Sequence, residues 1–168
     1  MLPEWKIHRV GWSPDNPQSI NQIIIELCDL MHFKGAQNME KWCSPNDKDG
    51  GLDIVCYRSF PDKRVAFPMY FLQCASGKNW KEKVYTPNPE YWQKILDSIL
   101  KPSKGVAIPF IISNEEFENA ALNGQIVIFD RYRLLRVTTC KRVKLSDDLK
   151  NRLLEWVQPK IENLPLVY

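Results

Sequence analysis

An apolar run that carries a single acid, Gly50-Gly51-Leu52-Asp53-Ile54-Val55-Cys56-Tyr57, follows a polar turn in the first third of the chain. Residues 52–57 and 65–74 are both short and rich in β-branched or aromatic side chains, which is typical of β-strands. We expect Pro68 near the start of the second strand. This strand carries Gln73 within Tyr70-Phe71-Leu72-Gln73-Cys74-Ala75. Each predicted strand therefore holds one polar side chain among apolar ones.

A helix is predicted before these two strands, over residues 19–32. Ser19 can cap its N-terminus, because a serine hydroxyl accepts from the free backbone N–H groups of a first helical turn. Glu26 falls at the edge of the apolar stripe. The side chains of this stripe recur at helical spacing and are Ile20, Ile23, Ile24, Leu27, Leu30 and Met31.

Helices and strands alternate in the remainder of the chain. Asn88-Pro89-Glu90 is typical of a helix start and predicts a helix over 91–100. Asn114 is predicted to cap a helix over 115–122 that Gly124 ends. Strands are predicted at 106–112 and 125–129, and residues 131–143 are ambiguous. Ser146-Asp147-Asp148 opens a last helix through about residue 157, with Pro159 as its break. This order favours the α/β class, with a mixed sheet flanked by helices.

Length and composition are those of one globular domain. The chain has 168 residues, a net charge of +3, 44% hydrophobic residues and 26% charged residues. We expect a single domain over residues 1–168, which is compatible with a piece of a longer protein. No run approaches about 18 apolar residues, so no membrane-spanning helix is expected.

Cysteine and histidine usage argues against several chemistries. The five cysteines are odd in number and have no CxxC spacing, so a zinc ribbon or a disulfide scaffold is not expected. Cys28, Cys56 and Cys74 lie in apolar runs, and we predict them to be buried and reduced, as in a cytoplasmic protein. With only His8 and His32, the chain cannot build a histidine-rich metal site.

Three polar side chains are candidates for function, each with an ordinary alternative. Asp53 lies inside an apolar strand, where an unpaired carboxylate is costly, unless it simply bonds a turn amide at the strand mouth. Gln73 offers an amide oxygen as a cation ligand, or is a core amide that the backbone satisfies. The third is Glu26 on the first helix, whose ordinary alternative is a solvated residue on the helix flank.

Taken together, these residues resemble the PD-(D/E)xK superfamily of nucleases, over about residues 19–130. Gly-Gly-Leu-Asp-Ile-Val at 50–55 is similar to its first metal-binding strand. Gln73-Cys74 is similar to the start of the Gln-x-Lys variant found in Mrr-like restriction and defence nucleases. The resemblance implies a restriction-endonuclease-like core, α-β-β-β-α-β, here with an additional C-terminal helix. It also implies that Glu26, Asp53 and Gln73 bind Mg²⁺ or Mn²⁺.

The chain departs from this pattern at the lysine. The superfamily places a lysine two residues after the second ligand, where it positions or activates the attacking water, but this position is Ala75. Lys78 can substitute from the strand end, and the resemblance then implies Glu26, Asp53, Gln73 and Lys78 as the catalytic set. Otherwise the domain is a degenerate relative that does not cleave.

Basic and aromatic side chains are interleaved in two places. Lys78, Lys81 and Lys83 lie within three residues of Trp80 in the sequence. Residues 131–144 contain six basic residues and no acid. Such clusters suit phosphate contacts and base stacking, although a solvated charged face is the alternative. The residues expected to contact nucleic acid are Trp80, Lys81, Lys83, Arg131, Arg133 and Arg136.

The resemblance therefore implies a metal-dependent endonuclease that cuts DNA, in restriction or anti-phage defence. A single site of this kind cuts one strand, so cleavage of both strands would need a homodimer. Two alternatives stay open: a catalytically inactive nuclease fold that binds nucleic acid or a partner protein, and an assembly domain whose tryptophans lie partly at an interface.

Overall fold

The computed structural model describes residues 4–10, 18–35, 43, 49–141 and 146–162, with the backbone alone for 137–141 and 161. The chain divides into two compact units, Met1–Arg133 and Leu134–Tyr168. The first unit contains the sheet and the candidate site. Its helices and strands, in chain order, are β1 (Lys6–Arg9), α1 (Ile20–Met31), β2 (Ile54–Tyr57), β3 (Met69–Cys74), α2 (Trp80–Lys83), α3 (Pro89–Leu96), β4 (Ser103–Ala107), α4 (Asn114–Gly124) and β5 (Val127–Phe129).

Within the described residues, five strands form one mixed sheet in the order β1-β2-β3-β4-β5. The pairs β1–β2 and β2–β3 are antiparallel, whereas β3–β4 and β4–β5 are parallel. The parallel connections run through helices, as parallel neighbours require. The expectation of an α/β fold with a mixed sheet is thus confirmed.

Helix α1 begins with a reciprocal cap. The Ser19 hydroxyl accepts from the backbone N–H of Gln22, and the Gln22 side chain accepts from the backbone N–H of Ser19. The predicted stripe is buried, except that Leu30 is exposed and Cys28 is buried in addition. The prediction of this helix and of its cap is therefore confirmed.

Two apolar clusters cover one face of the sheet. Val55 and Phe71 pair across β2 and β3 and pack with α1 and α3, where the Trp92 ring meets Phe71 edge-on at 5.8 Å between centroids. Val106 and Ile128, which pair across β4 and β5, belong to the second cluster. Its other buried members are Ala75, Trp80, Val84, Ile108 and Ile126. Because side chains alternate along a strand, Gln73 lies on the same face as Phe71.

Three boundaries differ from the prediction, one through strand pairing and two through local backbone and capping geometry. Strand β4 covers residues 103–107 rather than 106–112, because its last residue, Ala107, pairs with Cys74 at the end of β3. Helix α3 ends at Leu96 rather than residue 100, since Asp97 takes a left-handed conformation. Ser113, not Asn114, caps α4.

Strand β1 and helix α2 were not predicted, because each has only four residues and neither shows a clear hydrophobic period. Strand β1 matters for the topology. Strand β2 lies between β3 and β1, and β1, which is antiparallel to β2, precedes α1 in the chain. Among the described residues, the strands that follow α1 directly are β2 and β3.

The second unit contains the end of α5 (Arg131–Lys141) and α6 (Asp147–Glu162). The Ser146 hydroxyl accepts from the backbone N–H of Leu149, which confirms the predicted start of the last helix. The predicted end is wrong, because Pro159 lies inside α6. No helix in the described part of the chain is both long and apolar enough to cross a membrane.

The cysteines agree with the prediction only in part. Cys28 is buried, and this burial raises the pKa of its thiol to about 11, so it behaves as an apolar side chain. Cys56 is half-buried. Cys74 is exposed, against the prediction, because it is the last residue of β3 and alternates with the buried Gln73. Among the described residues, Cys28, Cys56 and Cys74 form no disulfide.

Candidate functional site

Asp53 lies at the entrance to β2, held on both sides by the sheet. Its backbone N–H donates to the carbonyl of Leu72 at 2.9 Å, and its carbonyl accepts from the N–H of Val10 at 2.8 Å. Its carboxylate Oδ2 accepts from the backbone N–H of Cys74 at 2.7 Å. The carboxylate therefore bonds an amide of the neighbouring strand rather than a turn amide. This amide belongs to Cys74, which follows Gln73 in β3.

The surroundings of Asp53 make its ionised form less favourable than that of a carboxyl group in water. Burial raises the pKa of the Asp53 carboxyl, and the negative charge of Asp49 raises it further. The Cys74 hydrogen bond and the charges of Lys83 and Arg9 act in the opposite direction but do not cancel the effect of burial. An ionised Asp53 is thus undercompensated, which is the electrostatic condition that a bound cation relieves.

Gln73 is buried, with 8% of its surface exposed. Its Oε1 accepts a hydrogen bond from the hydroxyl of Thr86, which follows α2. The turn that leads into β2 packs on this pair: a Cβ on Gly51 would lie 3.3 Å from Gln73 Oε1 and 3.0 Å from Thr86 Cβ. Gly51 also has φ of +72°, so both its conformation and its surroundings require glycine.

Asp49 adds a second acid to this region and was not predicted as a site residue. Its Oδ1 accepts from the backbone N–H of Gly51 at 2.9 Å, and its carbonyl accepts from the N–H of Leu52 at 3.0 Å. Its charge acts on Asp53. The only sequence signal was an acid placed four residues before Asp53 with a Gly-Gly turn between them.

Glu26 is engaged by other partners. Its Oε1 lies 3.0 Å from His8 Nε2 on β1, and its Oε2 accepts from Gln18 Nε2 at 3.2 Å. Among the described residues, the charged groups that shift the pKa of Asp53 are Asp49, Lys83 and Arg9, and Glu26 is not one of them. The structure therefore places Asp53 and Gln73 at adjacent strand ends, whereas it pairs Glu26 with His8 of β1.

The lysine that acts on Asp53 is Lys83, the last residue of α2. Lys83 is half-buried, whereas Lys78 is exposed in the turn after β3. Ala75 is buried in the second apolar cluster, and its N–H donates to the carbonyl of Ala107 at 2.8 Å. A lysine at position 75 would have to place its side chain in this cluster, which gives a physical reason for the alanine.

The first basic cluster is only partly available to a ligand. Trp80 is buried and meets the Phe110 ring edge-on at 6.1 Å, so its ring is part of the core and is not placed to stack on a base. Lys81 forms an ion pair with Glu116 at 2.7 Å. The Lys81 side chain remains 66% exposed, and an exposed pair of this kind is easily exchanged for a phosphate.

The arginines of the second cluster begin helix α5. Arg131 Nε donates to the carbonyl of Pro109 at 2.6 Å. Arg133 donates to the carbonyl of Ile128 at 3.0 Å and stacks on the Phe117 ring at 4.4 Å, so both arginines support the first unit. Arg136 is exposed in the second unit. Arg142 and Lys144 lie outside the described residues.

Within the described ranges, no group of three or more His, Cys, Asp or Glu side chains is placed to hold a metal ion. The candidate site has two acids, Asp49 and Asp53, together with the amide of Gln73. Comparison of the chain with protein-family models, with curated proteins and with solved structures gives no match.

Proposed function

We propose that this chain is a metal-dependent endonuclease that hydrolyses phosphodiester bonds of DNA, in restriction or anti-phage defence. The observation that carries the proposal is that Asp53, just before β2, and Gln73, near the end of β3, lie on adjacent strand ends, with the Asp53 carboxylate accepting from the backbone N–H of Cys74. This pair of oxygen ligands sits on a rigid sheet rather than on a loop, as a precise site requires.

The donor set suits a hard divalent cation. Carboxylate and amide oxygens are the ligands that Mg²⁺ and Mn²⁺ prefer, and Mg²⁺ keeps several waters when the protein supplies few ligands. Asp53 and Gln73 would hold the ion, with Asp49 as the neighbouring acid. Such an ion supplies charge stabilisation to a phosphodiester and acidifies a bound water. The undercompensated charge of Asp53 favours binding of a cation at this position.

The protein's own cations complete the arrangement. Lys83 and Arg9 both act on Asp53, so the carboxylate lies beside positive charge that would attract and orient a phosphate. We infer that Lys83, rather than Lys78, takes the role of the lysine that the superfamily places two residues after its second ligand.

The order of α1, β2, β3, the α2–α3 pair and β4 supports a restriction-endonuclease-like core, with β3 and β4 parallel. One difference is that the strand beside β2 is β1, which precedes α1. The sheet has three successive antiparallel strands, β1 to β3, followed by β4 and β5, which run parallel to β3. Because β2 and β3 are antiparallel, Asp53 before the start of β2 and Gln73 near the end of β3 lie at the same edge of the sheet.

The test is nicking of supercoiled plasmid DNA by the purified chain with Mg²⁺ or Mn²⁺. Asp53→Ala should lower the rate by at least about 100-fold, because it removes a charged ligand. Asp29→Ala, which removes an exposed acid of α1, should cleave like wild type. In the same assay Lys83→Met should lose activity, whereas Lys78→Met should retain it.

Absence of metal-dependent cleavage of DNA would exclude the proposed activity, and cleavage of RNA alone would contradict the choice of DNA. The second candidate function is a non-cleaving module that binds nucleic acid or a partner protein, favoured by the buried Ala75 at the usual lysine position. It predicts salt-dependent DNA binding that Asp53→Ala leaves unchanged.

A further inference from the structure

The hydroxyl of Thr86 joins two parts of the candidate site. It donates to Gln73 Oε1, and it also lies 3.1 Å from the carbonyl oxygen of Lys83. The backbone N–H of Thr86 donates to the same carbonyl at 3.1 Å. Thr86 is thus bonded to the end of α2, where Lys83 is located, and to the side chain that β3 sends into the site.

The third part of the site packs against the same residue. The Gly50-Gly51 turn, which leads into Asp53, approaches so closely that a Cβ on Gly51 would lie 3.0 Å from Thr86 Cβ. The half-buried Thr86 therefore touches the segments that carry Asp53, Gln73 and Lys83. These segments are distant in sequence, and the contact exists only in the folded chain.

A glutamine amide needs such a partner if it is to act as a ligand. The side-chain torsion that orients the amide group has a broad range of allowed angles. The two ends of the amide have similar shapes, but the oxygen accepts hydrogen bonds and the NH2 group donates them. A hydroxyl that donates to Gln73 Oε1 holds the amide with its oxygen toward Thr86. The oxygen has two lone pairs, so one remains for a cation.

We propose that Thr86 is a positioning residue of the metal site, which acts by holding the Gln73 oxygen in the orientation that binds the ion and by fixing it to the end of α2. This inference rests on the proposed function, in which Gln73 is a metal ligand. Residues that hydrogen-bond to a metal ligand commonly contribute about 10- to 100-fold to metal affinity.

The experiment compares Thr86→Val, which keeps the shape and removes the hydroxyl, with Thr86→Ser, which keeps the hydroxyl. Mn²⁺ binding to the full chain is measured by titration calorimetry, and folding is checked by thermal unfolding without metal. Thr86→Val should weaken Mn²⁺ binding by about 10- to 100-fold. Thr86→Ser should bind Mn²⁺ within about threefold of wild type, as expected when the hydroxyl is what matters. Thr86→Ala replaces Thr86→Val if that variant does not fold.

The double variant Gln73→Ala/Thr86→Val separates positioning from a general loss of structure. If Thr86 acts through Gln73, adding Thr86→Val to Gln73→Ala should cause no further loss of Mn²⁺ affinity. Full additivity, or wild-type affinity in Thr86→Val, would overturn the role of Thr86 and leave the metal site intact. Failure of the wild-type chain to bind Mn²⁺ would instead overturn the proposed function, and the role of Thr86 with it.

Discussion

At the scale of single residues, burial disfavours the negative charge of Asp53, while a hydrogen bond and two nearby cations favour it. Asp53 has one strong hydrogen bond, from Cys74, and two cations that act on it, yet burial and the charge of Asp49 still raise the pKa of its carboxyl. A catalytic or metal-binding acid often has this character, because the arrangement that serves the ligand is unfavourable in its absence.

This balance predicts a pH-dependent gain from Asp53→Asn. Because the pKa of Asp53 is raised, the folded chain binds its proton more tightly than the unfolded chain does. The free energy of unfolding therefore falls as the pH rises from the ordinary value of 3.8 through the raised pKa. Above that window the ionised carboxylate destabilises the metal-free fold. We expect Asp53→Asn to raise Tm in EDTA at pH 7 and the gain to shrink as the pH falls toward 3.8.

The control is Asp29→Asn, which changes the net charge equally at an exposed position of α1. The measurement is the Tm of wild type, Asp53→Asn and Asp29→Asn between pH 3.8 and pH 7 in EDTA. A Tm of Asp53→Asn at or below the wild-type value at pH 7, in the absence of metal, would show that Asp53 is not undercompensated.

At the scale of helices and strands, local sequence signals set where helices begin, whereas pairing with a neighbouring strand sets where β4 ends. The starts of α1 and α3 follow from capping side chains: Ser19 with Gln22, and Asn88, which accepts from the N–H groups of Glu90 and Tyr91. Such signals involve neighbours in sequence and are visible without a fold. The end of β4 follows instead from the end of β3, and no local signal at residues 106–112 contains that information.

The cap of α1 predicts a measurable loss for Ser19→Ala. Both the hydroxyl acceptor and its reciprocal contact with Gln22 disappear, so unfolding by urea should show a loss of about 1 kcal/mol. Ser19→Asp keeps an acceptor at the cap and should remain close to wild type. Equal stability of Ser19→Ala and wild type would mean that burial of the apolar stripe alone holds the first turn.

At the scale of the whole molecule, the site depends on the assembled first unit. Asp49 and Asp53 come from the turn before β2, Gln73 from the end of β3, and Thr86 and Lys83 from the end of α2 and the segment after it. These groups meet only when the sheet has formed. A cation that binds them binds the folded chain and not the unfolded one, so it must stabilise the fold by mass action.

The corresponding prediction is a rise in Tm with Mn²⁺ or Mg²⁺. At a free ion concentration of about 100 times Kd, the gain in the free energy of unfolding is about 2.7 kcal/mol. Asp53→Ala should abolish the shift, whereas Glu26→Gln should retain it, because Glu26 is paired with His8 and Gln18. Loss of the shift in Glu26→Gln would restore Glu26 to the ligand set.

By itself, the sequence determined the helix over α1, the helix start at Asn88, the strand that follows Asp53, the strand that carries Gln73, and the α/β class. These features depend on hydrophobic period, capping and β-propensity, which act between residues close in the chain. Only the tertiary structure decided the partners of each polar group. It paired Glu26 with β1, placed Trp80 in the core, selected Lys83 rather than Lys78 to act on Asp53, and joined Thr86 to Gln73. The physical reason is that electrostatic and hydrogen-bonding contacts depend on distance in space, which the order of residues does not specify.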